Sequence, residues 1–106
     1  MQLVILKHAK KELKDAPSDI IQDVFALFED LMAGKHLGML ISRSLPSIAK
    51  GLHELRLSGR AEEYRVFYVI KVDDAIYVLH GTSKKSQKTD KQTIELLRSR
   101  LRSLGL

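Results

Sequence analysis

The hydrophobic residues between positions 51 and 89 are spaced as they are in β-strands. Three runs rich in Leu, Val, Ile, Phe and Tyr occupy residues 53–57, 64–72 and 75–82. The polar segment SGRAEE separates the first two runs, and Asp73 and Asp74 separate the last two. Short apolar runs bounded by such turn residues predict an antiparallel three-stranded meander.

Side-chain alternation gives this sheet two different faces, because successive residues of a strand point to opposite sides. In the middle strand the apolar face carries Tyr64, Val66, Tyr68, Ile70 and Val72, and the other face carries Arg65, Phe67, Val69 and Lys71. In the preceding strand, Glu54 and Arg56 share one face. We therefore expect one core face and one polar, basic face, with Arg65 at the surface.

The N-terminal segment predicts a strand followed by two helices. Residues 2–6 form a short apolar run, and residues 7–15 are rich in helix formers. Pro17 interrupts the chain and is tolerated in a first helical turn. Across residues 20–32 apolar side chains recur every three or four positions, which predicts a helix with one wide apolar stripe. The helices should form a hairpin on one face of the sheet, and residues 35–50 should be an irregular connection.

The last segment predicts a closing helix that starts with a capping box. Residues 89–92, Thr-Asp-Lys-Gln, have the required spacing. A helical stripe of Ile94, Leu97, Leu101 and Leu104 follows. The helix also carries Arg98, Arg100 and Arg102. Strand, two helices, three strands and helix predict an α+β fold, with helices packed on an antiparallel or mixed sheet.

Length and composition predict one domain spanning residues 1–106. A chain of 106 residues that is 44% hydrophobic can bury one core but not two. It has no cysteine, which excludes disulfides and thiolate metal sites. The N-terminus is unlike a signal peptide, and no run of about 18 apolar residues occurs. We therefore expect a cytoplasmic protein that does not associate with a membrane.

The net charge of +5 is concentrated at the C-terminal end. Residues 84–106 hold seven Lys or Arg and two acidic residues, whereas residues 1–83 hold eleven of each. Such an excess is typical of a surface that faces a polyanion, and equally of a solvated basic helix.

Several kinds of chemistry lack their usual motifs. The four histidines are scattered, without an HxxxH spacing or clustered carboxylates, so we predict no metal and no cofactor. Glycine-rich nucleotide-binding motifs and serine-nucleophile motifs are also missing from the sequence. What remains are cations on the sheet and just after it, which fit a phosphodiester: Arg56, Arg65, Lys84, Lys85 and Lys88.

At these cations the sequence resembles a known family. GLHELR, then YRVFYVI, then IYVLHGTSKKSQKT before a basic helix, is similar to the RelE/HigB superfamily of bacterial toxins, and most to its phage-derived HigB-like branch. The resemblance implies a small α+β toxin of a type II toxin–antitoxin system that cleaves mRNA on the translating ribosome. It also implies a cognate antitoxin, in this branch usually a helix-turn-helix, HigA-like protein.

The resemblance also implies roles for individual residues. Metal-free RNA cleavage uses the 2′-hydroxyl as nucleophile, so it needs a base, cations for the phosphate and a donor for the leaving oxygen. Arg65 matches the family's phosphate-binding arginine, and Arg56 stands where relatives carry a strand Lys or Arg. Lys84 or Lys85 matches the basic residue after the last strand, a candidate acid.

The general base is the catalytic residue that the resemblance defines least. The tyrosine that follows the last strand in RelE has no equivalent after Gly81. His80 is the best replacement because an imidazole exchanges protons near neutral pH, and a structural role at the strand end is its alternative. We assign Lys71, Lys88 and Lys91 to RNA binding.

Two other functions fit the same fold. A ParE-like toxin would inhibit DNA gyrase without being a nuclease, and a nucleic-acid-binding module would bind without cleaving. Only the nuclease requires the catalytic cations.

Overall fold

The computed structural model describes residues 1–38, 40–71, 74–84 and 89–105, with the backbone alone at Lys84. The elements in chain order are β1 (Gln2–Ile5), α1 (Lys7–Lys14), α2 (Ser18–Met32), β2 (Ser42–Ser44), β3 (Leu52–Ser58), β4 (Glu63–Ile70), β5 (Ala75–Lys84) and α3 (Lys91–Ser103). The predicted order of elements is confirmed, with one further strand, β2, in the segment expected to be irregular. Val72, predicted to end the middle strand, lies outside the described residues.

The strands form one mixed sheet in the order β1-β5-β4-β3-β2. Strands β2 to β5 are antiparallel neighbours, which confirms the predicted meander, and β1 runs parallel to β5. In β2, Arg43 lies opposite Glu54 of β3. The three residues of β2 have no hydrophobic alternation, so pairing with β3, and not local sequence, makes them a strand.

The helical hairpin covers one face of the sheet, as predicted. Ala9 and Leu13 of α1 and the apolar stripe of α2 pack in one buried cluster with Leu55, Val66 and Tyr68. Each fully buried side chain of this size contributes about 1.5–3 kcal/mol relative to its exposed state. This cluster is the larger of the two cores.

The opposite face of the sheet is also partly apolar, which differs from the polar, basic face that we expect from alternation. Leu97 and Leu101 of α3 pack in a second buried cluster with Phe67, Val69 and Leu79. The closing helix thus covers the middle of this face, and the sheet lies between helices on both sides.

A β-bulge in β5 lies beneath α3. Phe67 pairs with His80, and Tyr68 pairs with Val78, so Leu79 is the extra residue. A bulge interrupts strict alternation, and both Leu79 and His80 lie on the α3 side. The imidazole of His80 stacks on Phe67 with ring centroids 5.9 Å apart.

Helix α1 lies close to β5 because residue 81 is glycine. A Cβ atom at Gly81 would come within 2.7 Å of the Tyr64 hydroxyl and 3.1 Å of Leu13 Cδ2. The Tyr64 hydroxyl donates a hydrogen bond to the backbone oxygen of Glu12 at 3.2 Å. Burial, together with the negative charge of Glu12, raises the pKa of Tyr64 to about 12. The phenol therefore remains a hydrogen-bond donor at neutral pH.

The cap of α3 is one residue later than the sequence predicts. Asp90 is the N-cap, and its Oδ1 accepts from the backbone N–H of Thr93 at 2.7 Å. A carboxylate also interacts favourably with the positive end of the helix dipole. Thr89, the predicted cap, instead donates its hydroxyl to Glu54. No helix of the described chain has the length and hydrophobicity to cross a bilayer.

Candidate functional site

Arg56 and Arg65 lie directly opposite each other on β3 and β4. Like charges in such a pair destabilise a sheet, but Glu54 lies on the same face and binds both. Its Oε1 atom accepts hydrogen bonds from Arg56 Nε and Arg65 Nη1, each at 3.1 Å. We call Glu54, Arg56 and Arg65 the Glu54 cluster.

The two arginines differ in exposure. The side chain of Arg56 is 30% exposed, whereas that of Arg65 is 3% exposed. The expectation that Arg65 lies at the surface is therefore wrong. Alternation does place it opposite the helical hairpin, but its guanidinium lies among acids, with Glu63 Oε2 3.7 Å from Arg65 Nη2 in addition to Glu54. Arg56 is the more accessible cation of the cluster.

Two polar clefts flank the Glu54 cluster. The first, of about 190 Å³, is lined by Arg56, Arg65, Ser58 and Glu63 among others. The second, also of about 190 Å³, is lined by Glu54, Arg43 and Thr89 among others. Small-molecule pockets usually measure about 300–1,000 Å³, so each cleft is suited to a small group such as one phosphate.

The basic segment after β5 begins and ends beside this cluster. The backbone of Lys84 lies opposite Glu63 at the end of β5. After the segment, Thr89 Oγ1 donates to Glu54 Oε2 at 3.4 Å. The side chain of Lys84 and the whole of Lys85 and Lys88 lie outside the described residues. Both described ends of this segment therefore lie beside the Glu54 cluster.

The other lysines assigned to RNA occupy different places. Lys91 is exposed in the first turn of α3, two residues from Thr89. Lys71 follows the far end of β4, where its N–H binds the oxygen of Ala75. Six residues of strand separate Lys71 from Arg65, which is about 20 Å. Lys71 shares a face with Arg65 but lies at the opposite end of the strand, apart from the Glu54 cluster, and its assignment to RNA binding stays a prediction.

His80 belongs to a second cluster, which joins α1, β5 and α3. Its Nδ1 atom lies 2.9 Å from Glu12 Oε1. Arg100 donates to the two oxygens of Glu12 at 2.8 and 3.0 Å, and to the backbone oxygen of Leu79 at 2.7 Å. Burial by itself would raise the pKa of Glu12, but hydrogen bonds from Arg100 and His80 lower it below its ordinary value. We call Glu12, His80 and Arg100 the Glu12 cluster.

The sheet register separates His80 from the arginines. Glu54 pairs with Phe67, and Phe67 pairs with His80, so the phenyl ring lies between the two clusters. The side chain of His80 is only 10% exposed. With Nδ1 directed at a carboxylate, Nε2 is the nitrogen left for proton exchange.

The residues of these clusters and clefts that are missing from the sequence-based assignment include Glu54, Arg43, Glu12 and Arg100. Alternation does place Glu54 beside Arg56, and this signal could have identified it. Glu12 and Arg100 are 88 positions apart, and nothing local connects them. Within the described ranges, no three His, Asp or Glu side chains come together as a metal-binding group.

Comparison with known proteins agrees with this architecture. The family described as Phage derived protein Gp49-like (DUF891) matches residues 11–102. A mutant of the E. coli toxin RelE in the free state superimposes with a TM-score of 0.61 at 16% identity, covering 97% of this chain and 96% of that chain. A chain of the intact E. coli RelBE toxin–antitoxin complex gives a TM-score of 0.58 at 14% identity, covering 80% and 98%. No curated protein matches the sequence.

Proposed function

The chain belongs to the phage-derived Gp49-like family, and on that basis we propose that it is the toxin of a type II toxin–antitoxin system and cleaves mRNA. Its structural similarity to the RelE toxins supports the proposal at the level of the fold. Fold similarity does not by itself specify an activity, so the argument depends on the site.

The observation that carries the proposal is the Glu54 cluster beside a polar cleft. A shared carboxylate holds two guanidinium groups side by side, and one of them is partly open to solvent. Arginine binds phosphate oxygens through two parallel hydrogen bonds. A guanidinium that is held in this way and is open to the cleft supports the proposed contact with a phosphodiester.

In the proposed reaction, the 2′-hydroxyl attacks the neighbouring phosphorus, and the bond to the leaving 5′-oxygen breaks. Negative charge develops on the phosphoryl oxygens, and fixed cations stabilise it best when they need not reorganise. Arg56 contacts these oxygens from the cleft wall. Arg65 contributes its charge from the buried side, and Glu54 keeps both groups in place.

Proton transfer requires two further groups. We propose His80 as the base: Glu12 orients it through Nδ1 and leaves Nε2 to accept the proton of the 2′-hydroxyl, and the RNA must then reach past Phe67, which lies between His80 and the arginines. We assign the acid to Lys84 or Lys85, because β5 ends at Lys84 opposite Glu63, and Glu63 lines the same cleft as Arg65. Lys88 and Lys91 would hold the RNA backbone near the N-terminus of α3.

The proposal includes a cognate antitoxin and a cytoplasmic site of action. The similarity to a chain of the RelBE complex supports a protein partner. We propose a helix-turn-helix, HigA-like protein, and translating ribosomes as the place where mRNA is cleaved. Arg98 and Arg102 are exposed on α3 and are suited to acidic side chains of the antitoxin.

The test is pulse labelling of protein and DNA synthesis in cells that express the chain, followed by primer extension on their mRNA. We expect protein synthesis to stop and new 5′ ends to appear. Arg56→Gln should prevent both effects. Arg60→Gln, an exposed arginine in the β3–β4 turn, is the matched control and should act like the wild type. If DNA replication stops while protein synthesis continues, the chain inhibits gyrase and the nuclease proposal is wrong.

A further inference from the structure

A large concave surface lies on the helical hairpin, away from the Glu54 cluster. It is a groove of about 1,030 Å³ between α1 and α2. Ile5, Ile21 and Phe25 contribute apolar surface, and Phe25 is 47% exposed. An exposed phenylalanine in an apolar groove is typical of a surface that a partner covers.

Lysines form the rim of this groove. Lys7, Lys10, Lys11 and Lys14 of α1 all line it, over about 10 Å of helix. None of the four forms an ion pair with another described residue. Glu12, the acid within α1, is directed instead to His80 and Arg100. Asp15, just after α1, is the one carboxylate among the residues that line the groove. The rim thus holds four lysines against one acid, and it carries a net positive charge around an apolar floor.

We propose that this groove binds an acidic amphipathic helix of a protein partner. Apolar side chains of that helix would contact Phe25 and Ile21, and its Asp and Glu residues would face the lysines. An amphipathic helix in a hydrophobic groove is a common mode of recognition, and it uses anchors spaced by three or four residues. The proposal does not require the chain to cleave RNA.

The apolar floor of the groove favours a protein over a nucleic acid as the occupant. Lysines alone would suit an RNA backbone equally well, since phosphate contacts are sequence-independent and electrostatic. Aliphatic side chains such as Ile5 and Ile21 offer nothing to a phosphate, but they match the apolar face of a helix. The combination of rim and floor therefore favours a protein helix.

The experiment is a selection from a phage-displayed library of helical peptides against the immobilised chain. Selected peptides should be rich in Asp and Glu and should carry apolar residues at helical spacing. Fluorescence anisotropy of labelled peptides should then show affinity that weakens with salt. Phe25→Asp and the double variant Lys11→Glu with Lys14→Glu should each weaken binding by at least about tenfold.

The matched control reverses the same number of charges outside the groove. Lys50→Glu with Arg60→Glu, both exposed, should leave peptide affinity unchanged, and thermal melting should show that all variants fold. Hydrogen exchange should show protection of residues 5–25 by the peptide. Selected peptides without acidic residues, or peptides unaffected by the groove variants, would overturn the proposal. Competition by single-stranded RNA that depends on Lys11 and Lys14 but not on Phe25 would assign the rim to nucleic acid instead.

Failure of this test is distinguishable from failure of the nuclease proposal. Peptide affinity is measured without any substrate RNA, and none of the groove residues belongs to the Glu54 cluster. If the chain binds acidic helices but does not arrest translation, the groove proposal stands and the nuclease proposal is wrong.

Discussion

The Glu54 cluster and the Glu12 cluster contain the same kind of contact but have different roles. In each, one carboxylate binds two nitrogen-bearing side chains at about hydrogen-bond distance. Glu54 binds residues of its own and the adjacent strand, beside a cleft that reaches solvent. Glu12 binds groups that are 68 and 88 positions away, on β5 and α3. One cluster presents a cation, and the other joins three elements.

The difference shows that a buried carboxylate cannot be interpreted from its partners alone. Removing one partner of a buried ion pair leaves an uncompensated charge, which destabilises the fold in either cluster. Only a cation that lines an open cleft, as Arg56 and Arg65 do, can also act on a substrate. The comparison therefore predicts that Arg56 is mainly functional, that Arg100 is mainly structural, and that Arg65 is both.

The largest effect is expected for Arg65→Ala, which should abolish mRNA cleavage and destabilise the fold by about 3–5 kcal/mol. Its guanidinium is almost fully buried, and its loss removes one cationic partner from Glu54 and one from Glu63. Chemical denaturation measures the stability. Adding Glu54→Ala to Arg65→Ala should recover part of it, because the buried carboxylate that has lost one cationic partner is then absent. Wild-type stability of Arg65→Ala would show that the buried pair contributes nothing.

Arg56→Ala should have a smaller effect on stability and a large one on rate. Loss of one preorganised donor costs about 3 kcal/mol of transition-state stabilisation, or roughly a hundred- to thousand-fold in rate. Because Arg56 is partly exposed, unfolding should change by no more than about 1 kcal/mol. Cleavage of a defined mRNA and a melting curve, each beside Arg60→Ala as control, measure the two effects. Undiminished cleavage would remove Arg56 from the site.

Arg100→Ala should show the reverse pattern, with a loss of about 2 kcal/mol in stability and a smaller loss of cleavage than Arg56→Ala, because Glu12 can still bind His80 Nδ1. Arg100 holds α3 to Glu12 and to the backbone of Leu79, but it lies in neither polar cleft. The exposed Arg98 of the same helix is the matched control. If Arg100→Ala is as stable as Arg98→Ala, the Glu12 cluster does not hold the helix in place.

The smallest effect is a dependence of stability on pH that Glu12 contributes. Its folded-state pKa is lowered from the ordinary value of 4.5, so the unfolded chain binds the proton more tightly. The contribution is therefore fully present above that value and is lost as the pH falls through the folded pKa. The difference in melting temperature between wild type and Glu12→Gln should be constant near neutral pH and should shrink below about pH 4.5. Glu95→Gln, exposed on α3, should show no such trend.

The sequence alone determined the order of the elements and most of the sheet. Strand alternation, the stripe of α2 and the turn residues depend on local periodicity, and local periodicity survives in any single sequence. The same alternation correctly placed Arg56 and Arg65 on a common face, apart from the hairpin core. β2 could not be predicted, because its pairing with β3 comes from the partner strand and not from its own residues.

Only the tertiary structure decided which charges are buried, paired or open. Arg65 and Lys71 share a face of β4 by alternation, yet one is buried among carboxylates and the other lies at the far end of the strand. Glu12 meets Arg100 because folding brings α1 and α3 to the same bulge of β5. Burial and ion pairing depend on contacts between residues that are distant in the chain, and no local pattern encodes those contacts.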